Sequence, residues 1–204
     1  TRLISARSNQ VSVSREDISA MVSVATEEEV IEKDEKKMIQ NLLKLDELTA
    51  HEIMTPSAVV EMAECGMSIR EFYDSDLSHS RIPIYDEEND EYVIGYVLRQ
   101  EILEKMAEDK FSTKLIDITR PIMSFTEETS VSDIWEKMLE KKEHISVILD
   151  EYGSLRGIVT LEDVIETMLG HEIVDEKDEV VDMQEYAKEQ WKKAQEELLI
   201  AEED

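Results

Sequence analysis

Thr160 and Asp163 are the pair of residues whose types and spacing could do chemistry in this sequence. They lie in GIVTLEDVIETML, residues 157–169, where an apolar run ends and a helical pattern begins. A strand that ends at a helix N-terminus presents a hydroxyl, a carboxylate and free backbone N–H groups together. Such a carboxylate can accept both hydroxyls of a ribose. The same pair also forms a capping box, worth about 0.5–2 kcal/mol, and the tetrapeptide alone favours capping.

An internal repeat shows which elements must position this pair. Residues 66–103 resemble residues 128–165, and at one constant offset Gly95 aligns with Gly157. Each copy reads as a β-α-β-β-α unit, which implies a small three-stranded sheet with helices on one face. We also expect a longer hairpin loop in the first copy. One copy buries little core, so we predict an α+β fold in which the two copies pack sheet to sheet.

The repeat also supplies an internal control for the candidate site. The first-copy counterparts of Thr160 and Asp163 are Leu98 and Glu101. Leu98 has no hydroxyl, so that position can neither cap a helix through its side chain nor bind a ligand in the same way. We therefore predict one ligand site per chain, built around the second copy.

The flanking segments have a different character from the repeat. Ser14 and Asp17 form a plausible capping box for a first helix, and a second helix is predicted from about Glu32 to Leu45. The last residues are acidic and then rich in helix formers. The predicted divisions are an N-terminal linker with helices, a first repeat, a second repeat and a helical acidic tail, at residues 1–47, 48–110, 111–171 and 172–204.

The overall charge limits the partners of the protein. The net charge is −28, from 22 basic and 50 acidic residues. Such a surface repels phosphate backbones, which argues against nucleic acid as a partner. No apolar run approaches the roughly 20 residues of a membrane-spanning helix. The chain starts at Thr1, so we expect a piece of a longer protein, and Cys65, the single cysteine, is predicted to be a small buried apolar residue.

Four short motifs carry a resemblance to a known family. They read EIMTP, SRIPIYD, DEYG and VTLEDVIE. Together with the repeat, they make residues 14–178 resemble a tandem CBS-domain pair, or Bateman module, of the CorC/HlyC hemolysin-like and cyclin M (CNNM) group. The resemblance implies a homodimer on the cytoplasmic face of the cell membrane, joined to a transmembrane domain of the parent chain. It also implies ATP with Mg²⁺ as ligand and a regulatory role in magnesium or cobalt transport or efflux.

The resemblance extends to individual positions. In CBS pairs, Thr160 and Asp163 would hold the ribose. Thr55, His79 and Arg81 match positions that contact the base and phosphates, although the family commonly has a tyrosine where His79 lies. From the residues alone, Thr55 could simply begin a strand and Arg81 could be a surface ion pair. Ile158 and Ile53 could flank an adenine or belong to the core.

Charge also bears on the form of the nucleotide. A free triphosphate carries about four negative charges near neutral pH, and a protein at −28 repels it unless cations intervene. Arg81 offers one cation, and Mg²⁺ on the phosphates offers more. We therefore expect ATP–Mg²⁺ to bind better than free ATP, with the metal held through the phosphates and not by protein ligands alone.

No enzyme signature accompanies these residues. The sequence contains no G-x-x-x-x-G-K-S/T phosphate loop, no G-x-S-x-G elbow and no H-E-x-x-H zinc motif. We therefore expect a regulatory binding module and not an enzyme. Two alternatives stay open, namely a dimerisation scaffold without a ligand and a sensor of another adenosine compound such as AMP or S-adenosylmethionine.

Overall fold

The computed structural model describes residues 13–75, 77–171 and 183–201. The helices are α1 Arg15–Glu27, α2 Lys33–Lys44, α3 Ala50–Ile53, α4 Ile69–Tyr73, α5 Arg99–Ala107, α6 Val131–Lys141, α7 Leu161–Leu169 and α8 Met183–Ala201. The strands are β1 Thr55–Pro56, β2 Ala63–Glu64, β3 Arg81–Asp86, β4 Asn89–Leu98, β5 Met123–Thr126, β6 Ile145–Leu149 and β7 Leu155–Thr160. Two 3₁₀ helices lie at Ser57–Val59 and Leu115–Ile118.

The predicted α+β repeat is confirmed. The first copy runs β2-α4-β3-β4-α5 and the second runs β5-α6-β6-β7-α7. In each copy the first strand pairs parallel with the second, and the second pairs antiparallel with the third. The two sheets contact each other through β4 and β7. Each copy has its own apolar core, and the largest fully buried side chains include Phe72 in the first and Met138 in the second.

The second sheet has four strands instead of the expected three. Strand β1 pairs antiparallel with β7, so that Thr55 lies opposite Ile158 and Pro56 opposite Gly157. Gly157 permits this pairing because a Cβ there would lie 2.2 Å from the Thr55 carbonyl oxygen. The segment around Ala50, which precedes β2, therefore packs into the core of the second copy.

The prediction of a longer hairpin loop in the first copy is wrong. Strands β3 and β4 are joined by a two-residue turn at Glu87 and Glu88, and Asp86 already pairs with Asn89. The extra residues are absorbed in β4, where the register with β3 shifts on either side of Tyr85. Additional backbone in a hairpin can be paired as irregular strand, which satisfies N–H and C=O groups that a longer loop would leave to water.

The predicted N-terminal helices are present. The Ser14–Asp17 capping box begins α1, and α2 contacts the C-terminal end of α7. Asn41 donates a hydrogen bond to the Met168 carbonyl oxygen at 3.2 Å, and the Lys37 ammonium donates to the carbonyl oxygen of Gly170. Helix α2 thus satisfies carbonyl groups that α7 leaves unpaired at its end.

The tail is helical over residues 183–201, as predicted, and α8 contacts β1 and the 3₁₀ helix Ser57–Val59. Predicted features of residues 1–12 and 172–182 lie outside the described residues. Within the described ranges, no helix is both long and apolar enough to cross a membrane. Cys65 is buried, as expected.

Candidate functional site

A cavity of about 260 Å³ lies where the two copies and the tail meet. Strand β1 and the 3₁₀ helix after it form one wall, the chain entering β3 forms a second, and the end of β7 with the start of α7 forms a third. The lining residues are Thr55, Val59, Val60, Glu61, His79, Ser80, Arg81, Ile158, Thr160, Glu162 and Met183. Five of the six side chains predicted for a site from sequence are in this set.

Thr160 lies at the point where β7 passes into α7, and its capping box is fully formed. Its backbone N–H and its hydroxyl donate to Asp163 Oδ2 at 2.6 and 2.7 Å, and the Asp163 N–H donates to Thr160 Oγ1 at 3.3 Å. Asp163, the sixth predicted residue, is not among those that line the cavity. Asp163 is hydrogen-bonded to Thr160, which does line the cavity. The residues that cap α7 therefore also belong to the candidate binding site.

The β1–β7 pairing brings Thr55 and Ile158 to the same wall of the cavity. Both are partly buried. Ile53, the other isoleucine considered for an adenine site, packs against the core of the second copy and does not line the cavity. The apolar part of the cavity wall is therefore Ile158 with Val59, Val60 and Met183.

His79 and Arg81 lie on the segment that enters β3. The Arg99 backbone N–H donates to the Ser80 carbonyl oxygen at 3.0 Å, which fixes the segment against the start of α5. His79 Nε2 lies 3.6 Å from Glu61 Oε2. Among the described residues, no carboxylate lies within ion-pair distance of Arg81, so its guanidinium can bind an anion in the cavity.

The side chains around the cavity include both basic and acidic groups. Arg81 and His79 line it together with two carboxylates, those of Glu61 and Glu162. A polyphosphate in this cavity would therefore meet negative as well as positive side chains. In the part of the chain that the structure describes, no group of three or more His, Cys, Asp and Glu residues is arranged to hold a metal ion.

Apart from Ser80, which lies between His79 and Arg81, three groups of lining residues were not predicted from the sequence. Glu162 lies between Thr160 and Asp163, and its position next to the motif was a usable signal. Val59, Val60 and Glu61 follow Thr55, but a short 3₁₀ segment has no period to reveal it. Met183 comes from the tail, and no local pattern predicts a contact across so many residues.

At the equivalent place in the first copy, the protein's own side chains contact one another. Tyr96 is the counterpart of Ile158, and Arg120 pairs with it as Thr55 pairs with Ile158. The Tyr96 hydroxyl donates to Glu143 Oε2 at 2.8 Å, and Arg120 Nη2 donates to Glu101 Oε2 at 3.2 Å.

The pKa of Tyr96, the buried tyrosine at this position, is also shifted. Burial raises the pKa of Tyr96, and its hydrogen bond to the Glu143 carboxylate raises the pKa further. The phenol therefore stays protonated and continues to donate to Glu143 throughout the physiological pH range. The side chain at the position equivalent to Ile158 is therefore hydrogen-bonded within the protein, next to the Arg120–Glu101 pair.

The open cavity has three kinds of surface in one place. Its apolar wall suits a flat ring, the hydroxyls of Thr55, Ser80 and Thr160 suit a polar sugar, and the guanidinium of Arg81 suits an anionic group. This combination fits a ligand that is aromatic at one end and anionic at the other.

Comparison with known proteins agrees with this description. Residues 115–170 match the CBS domain family model. A UPF0053 protein from Synechocystis sp. is 35% identical over 184 residues, which are 87% of this chain and 51% of that protein. The chain thus spans about half the length of this relative.

Two solved structures resemble the fold closely. The CBS domain of the bacterial CNNM/CorC family Mg²⁺ transporter superposes with a TM-score of 0.75 at 29% identity, covering 80% of this chain and 100% of that one. The same kind of domain in complex with ATP gives a TM-score of 0.64 at 28% identity, covering 67% and 98%. Residues 115–170 are thus a CBS domain, and the duplicated fold and these similarities make the chain as a whole similar to the CBS-domain pairs of the CNNM/CorC family.

Proposed function

We propose that this module binds an adenine nucleotide, ATP with Mg²⁺, in the cavity between its two copies. The observation that carries the proposal is the convergence of Thr55, His79, Arg81, Ile158 and Thr160, which come from three separate parts of the chain, on one cavity. The similarity to a CBS domain in complex with ATP supports the choice of ligand class.

Each part of the nucleotide has a matching set of side chains. The adenine would pack against Ile158 and the valines of the 3₁₀ segment, with Thr55 beside it. The ribose hydroxyls would be bound at the start of α7 by Thr160 and Asp163. The phosphates would reach Arg81 and His79, where the planar guanidinium can bind two oxygens at once.

Magnesium follows from the charge of the site. Glu61 and Glu162 line the same cavity as Arg81, and the chain carries a net charge of −28. Mg²⁺ bridging phosphate oxygens would offset part of this repulsion, and Mg²⁺ usually binds through substrate phosphates with few protein ligands. ATP–Mg²⁺ should therefore bind better than ATP alone.

The biological role in this proposal is control of a membrane protein that moves magnesium or another divalent cation, from the cytoplasmic face of the membrane. Helix α7 starts at Thr160 and ends against α2 through Asn41 and Lys37. Ligand binding at one end of α7 could thus be transmitted to the N-terminal helices and the membrane domain. Nucleotide shifts such an equilibrium only by its different affinity for the two arrangements, here of a homodimer.

A dimerisation scaffold without a ligand is the second candidate. It is favoured by the complete Thr160–Asp163 capping box, which forms without any bound molecule. The same cavity could also accept AMP or S-adenosylmethionine, so the experiment has to compare ligands.

Calorimetric titration of the protein with ATP, AMP and S-adenosylmethionine, each with and without Mg²⁺, tests the proposal. We expect ATP–Mg²⁺ to bind most tightly, and a ligand at 100 times its Kd to stabilise the fold by about 2.7 kcal/mol in thermal melts.

Arg81→Gln should weaken ATP–Mg²⁺ binding by about tenfold, equivalent to about 1.4 kcal/mol, and AMP binding by less. Arg156→Gln is the matched control, because Arg156 pairs with Glu127 outside the cavity. Absence of binding by every ligand would favour the scaffold.

A further inference from the structure

Helix α8 begins at the edge of the candidate nucleotide cavity. Met183, its first residue, lines the cavity. The side chain of the next residue, Gln184, donates from Nε2 to the carbonyl oxygens of Glu52 at 2.9 Å and Met54 at 3.2 Å. The tail is thus attached to the chain immediately before Thr55.

The contacts of Gln184 have a clear local cause. Glu52 lies in α3, a helix of four residues, and Met54 follows its last residue. The final carbonyl groups of a helix have no partner within the helix. The amide of Gln184 supplies hydrogen bonds to two carbonyl groups there, so the start of α8 acts as a cap on the end of α3.

The helix docks on the same elements that form the cavity wall. It contacts β1, which carries Thr55, and the 3₁₀ helix Ser57–Val59. With Met183 in place the cavity measures about 260 Å³. Pockets that hold drug-sized ligands usually measure about 300–1,000 Å³. Met183 of the docked helix therefore restricts the space next to Thr55 into which a ligand would enter.

From these contacts we infer that α8 is an autoinhibitory helix. In the docked position it narrows the cavity with Met183, and nucleotide binding requires the start of α8 to move away from the end of α3. This inference rests on the proposed nucleotide site and adds its regulation by the chain's own tail. Because only the undocked fraction binds, the apparent Kd equals the intrinsic Kd divided by that fraction.

The test uses the full chain and the variants Gln184→Ala and Met183→Ala. Gln184→Ala removes both hydrogen bonds to the end of α3, and alanine is the best helix former, so α8 itself is not weakened. Met183→Ala shortens the side chain that enters the cavity. Ala194→Gln, at an exposed position further along α8, is the control. For each protein, the Kd of ATP–Mg²⁺ is measured by calorimetry and the amide hydrogen exchange of α8 by mass spectrometry.

We expect both variants to bind ATP–Mg²⁺ at least about threefold more tightly than the parent chain, because the competent fraction or the free space increases. Ala194→Gln should leave the Kd unchanged. Gln184→Ala should also speed hydrogen exchange in α8 without nucleotide, and addition of ATP–Mg²⁺ to the parent chain should speed it too.

Two results would overturn the inference while leaving the proposed function intact. One is an equal Kd in the parent chain and both variants. The other is weaker binding in the variants together with slower exchange of α8 on adding nucleotide, which would make α8 part of the binding surface. If no protein in the set binds ATP–Mg²⁺, the proposed nucleotide site fails, and the inference fails with it.

Discussion

At the scale of single residues, the hydrogen bonds between Thr160 and Asp163 both cap α7 and hold Thr160 at the cavity. The hydroxyl and N–H of Thr160 both reach Asp163 Oδ2, which begins α7 and places Thr160 at the cavity. A substitution that removes the threonine hydroxyl would change stability and binding together. The carboxylate of Asp163 is the better position for separating them, because asparagine keeps an oxygen that can accept the same capping bonds.

Asp163→Asn is expected to weaken ATP–Mg²⁺ binding by about tenfold, or about 1.4 kcal/mol, because a neutral amide binds ribose hydroxyls less strongly than a carboxylate does. The melting temperature should fall slightly, because the neutral amide is also a weaker capping partner, and melts without nucleotide measure this loss separately from the affinity. The matched control is Glu101→Gln at the equivalent place in the first copy, where the carboxylate pairs with Arg120. Calorimetry on both variants decides the matter, and equal losses of affinity would argue against a ribose site at α7.

At the scale of elements, the two copies use a glycine in the same way. A Cβ on Gly157 would lie 2.2 Å from the Thr55 carbonyl oxygen, and a Cβ on Gly95 would lie 2.2 Å from that of Arg120. In both copies, the segment that precedes the first strand of the other copy approaches the last strand closely. In the second copy this approach builds a wall of the cavity, whereas in the first copy it places Arg120 opposite Tyr96.

Gly157→Ala and Gly95→Ala should therefore cost similar stability but differ in binding. Each introduces a methyl group that forces backbone apart, at about 1–3 kcal/mol, measured by chemical unfolding. Only Gly157→Ala should weaken ATP–Mg²⁺ binding, since it displaces Thr55. Gly153→Ala tests backbone strain without a steric clash, because Gly153 has φ +86° and open space around it. A loss of binding in Gly95→Ala equal to that in Gly157→Ala would contradict this view.

The start of α4 gives a prediction for pH. Glu71 forms a capping box with Ser68, whose N–H lies 2.7 Å from Glu71 Oε2. Hydrogen bonds from the hydroxyl and then from the N–H of Ser68 lower the pKa of Glu71. A lowered pKa in the folded state means that the stabilisation is present above the ordinary glutamate pKa and is lost as pH falls through the folded value.

Glu71→Gln should therefore lower the melting temperature at pH 7, and the difference from the parent chain should shrink steadily as the pH falls toward 3. Thermal melts by circular dichroism across this range measure it. Glu128→Gln, a change at an exposed glutamate, serves as the control. A difference that stays constant across the range would mean that the Glu71 charge does not contribute to the cap.

At the scale of the whole molecule, the two copies share a fold but carry different side chains at equivalent positions. The first copy contains the Tyr96–Glu143 hydrogen bond and the Arg120–Glu101 ion pair at the place where the second copy has the cavity. We therefore expect only the second copy to bind a ligand.

The module should bind one nucleotide per chain, and the titration stoichiometry measures this number. Tyr96→Phe should cost about 1–2 kcal/mol of stability through the lost hydrogen bond and leave the stoichiometry at one. Two equivalents of ATP bound per parent chain would show that the first copy also binds a ligand.

The sequence predicted the repeat well because its hydrophobic period extends over whole strands and helices. The site was predictable as far as Thr160, Arg81 and their neighbours belong to recognisable motifs. Strand β1 was foreseen only as one interpretation of Thr55, since two residues carry no period, and its pairing with β7 was not predicted. The contact of Gln184 with the end of α3 depends on long-range packing, which local pattern cannot indicate.

The pairing of Thr55 with Ile158 has a consequence for the order of assembly. The two partners are separated by about a hundred residues, and contacts of such long range form slowly because a large loop must close first. During synthesis, β1 leaves the ribosome long before β7 exists to receive it. The first copy can acquire its own core early, whereas the cavity is complete only when the last third of the chain has been made.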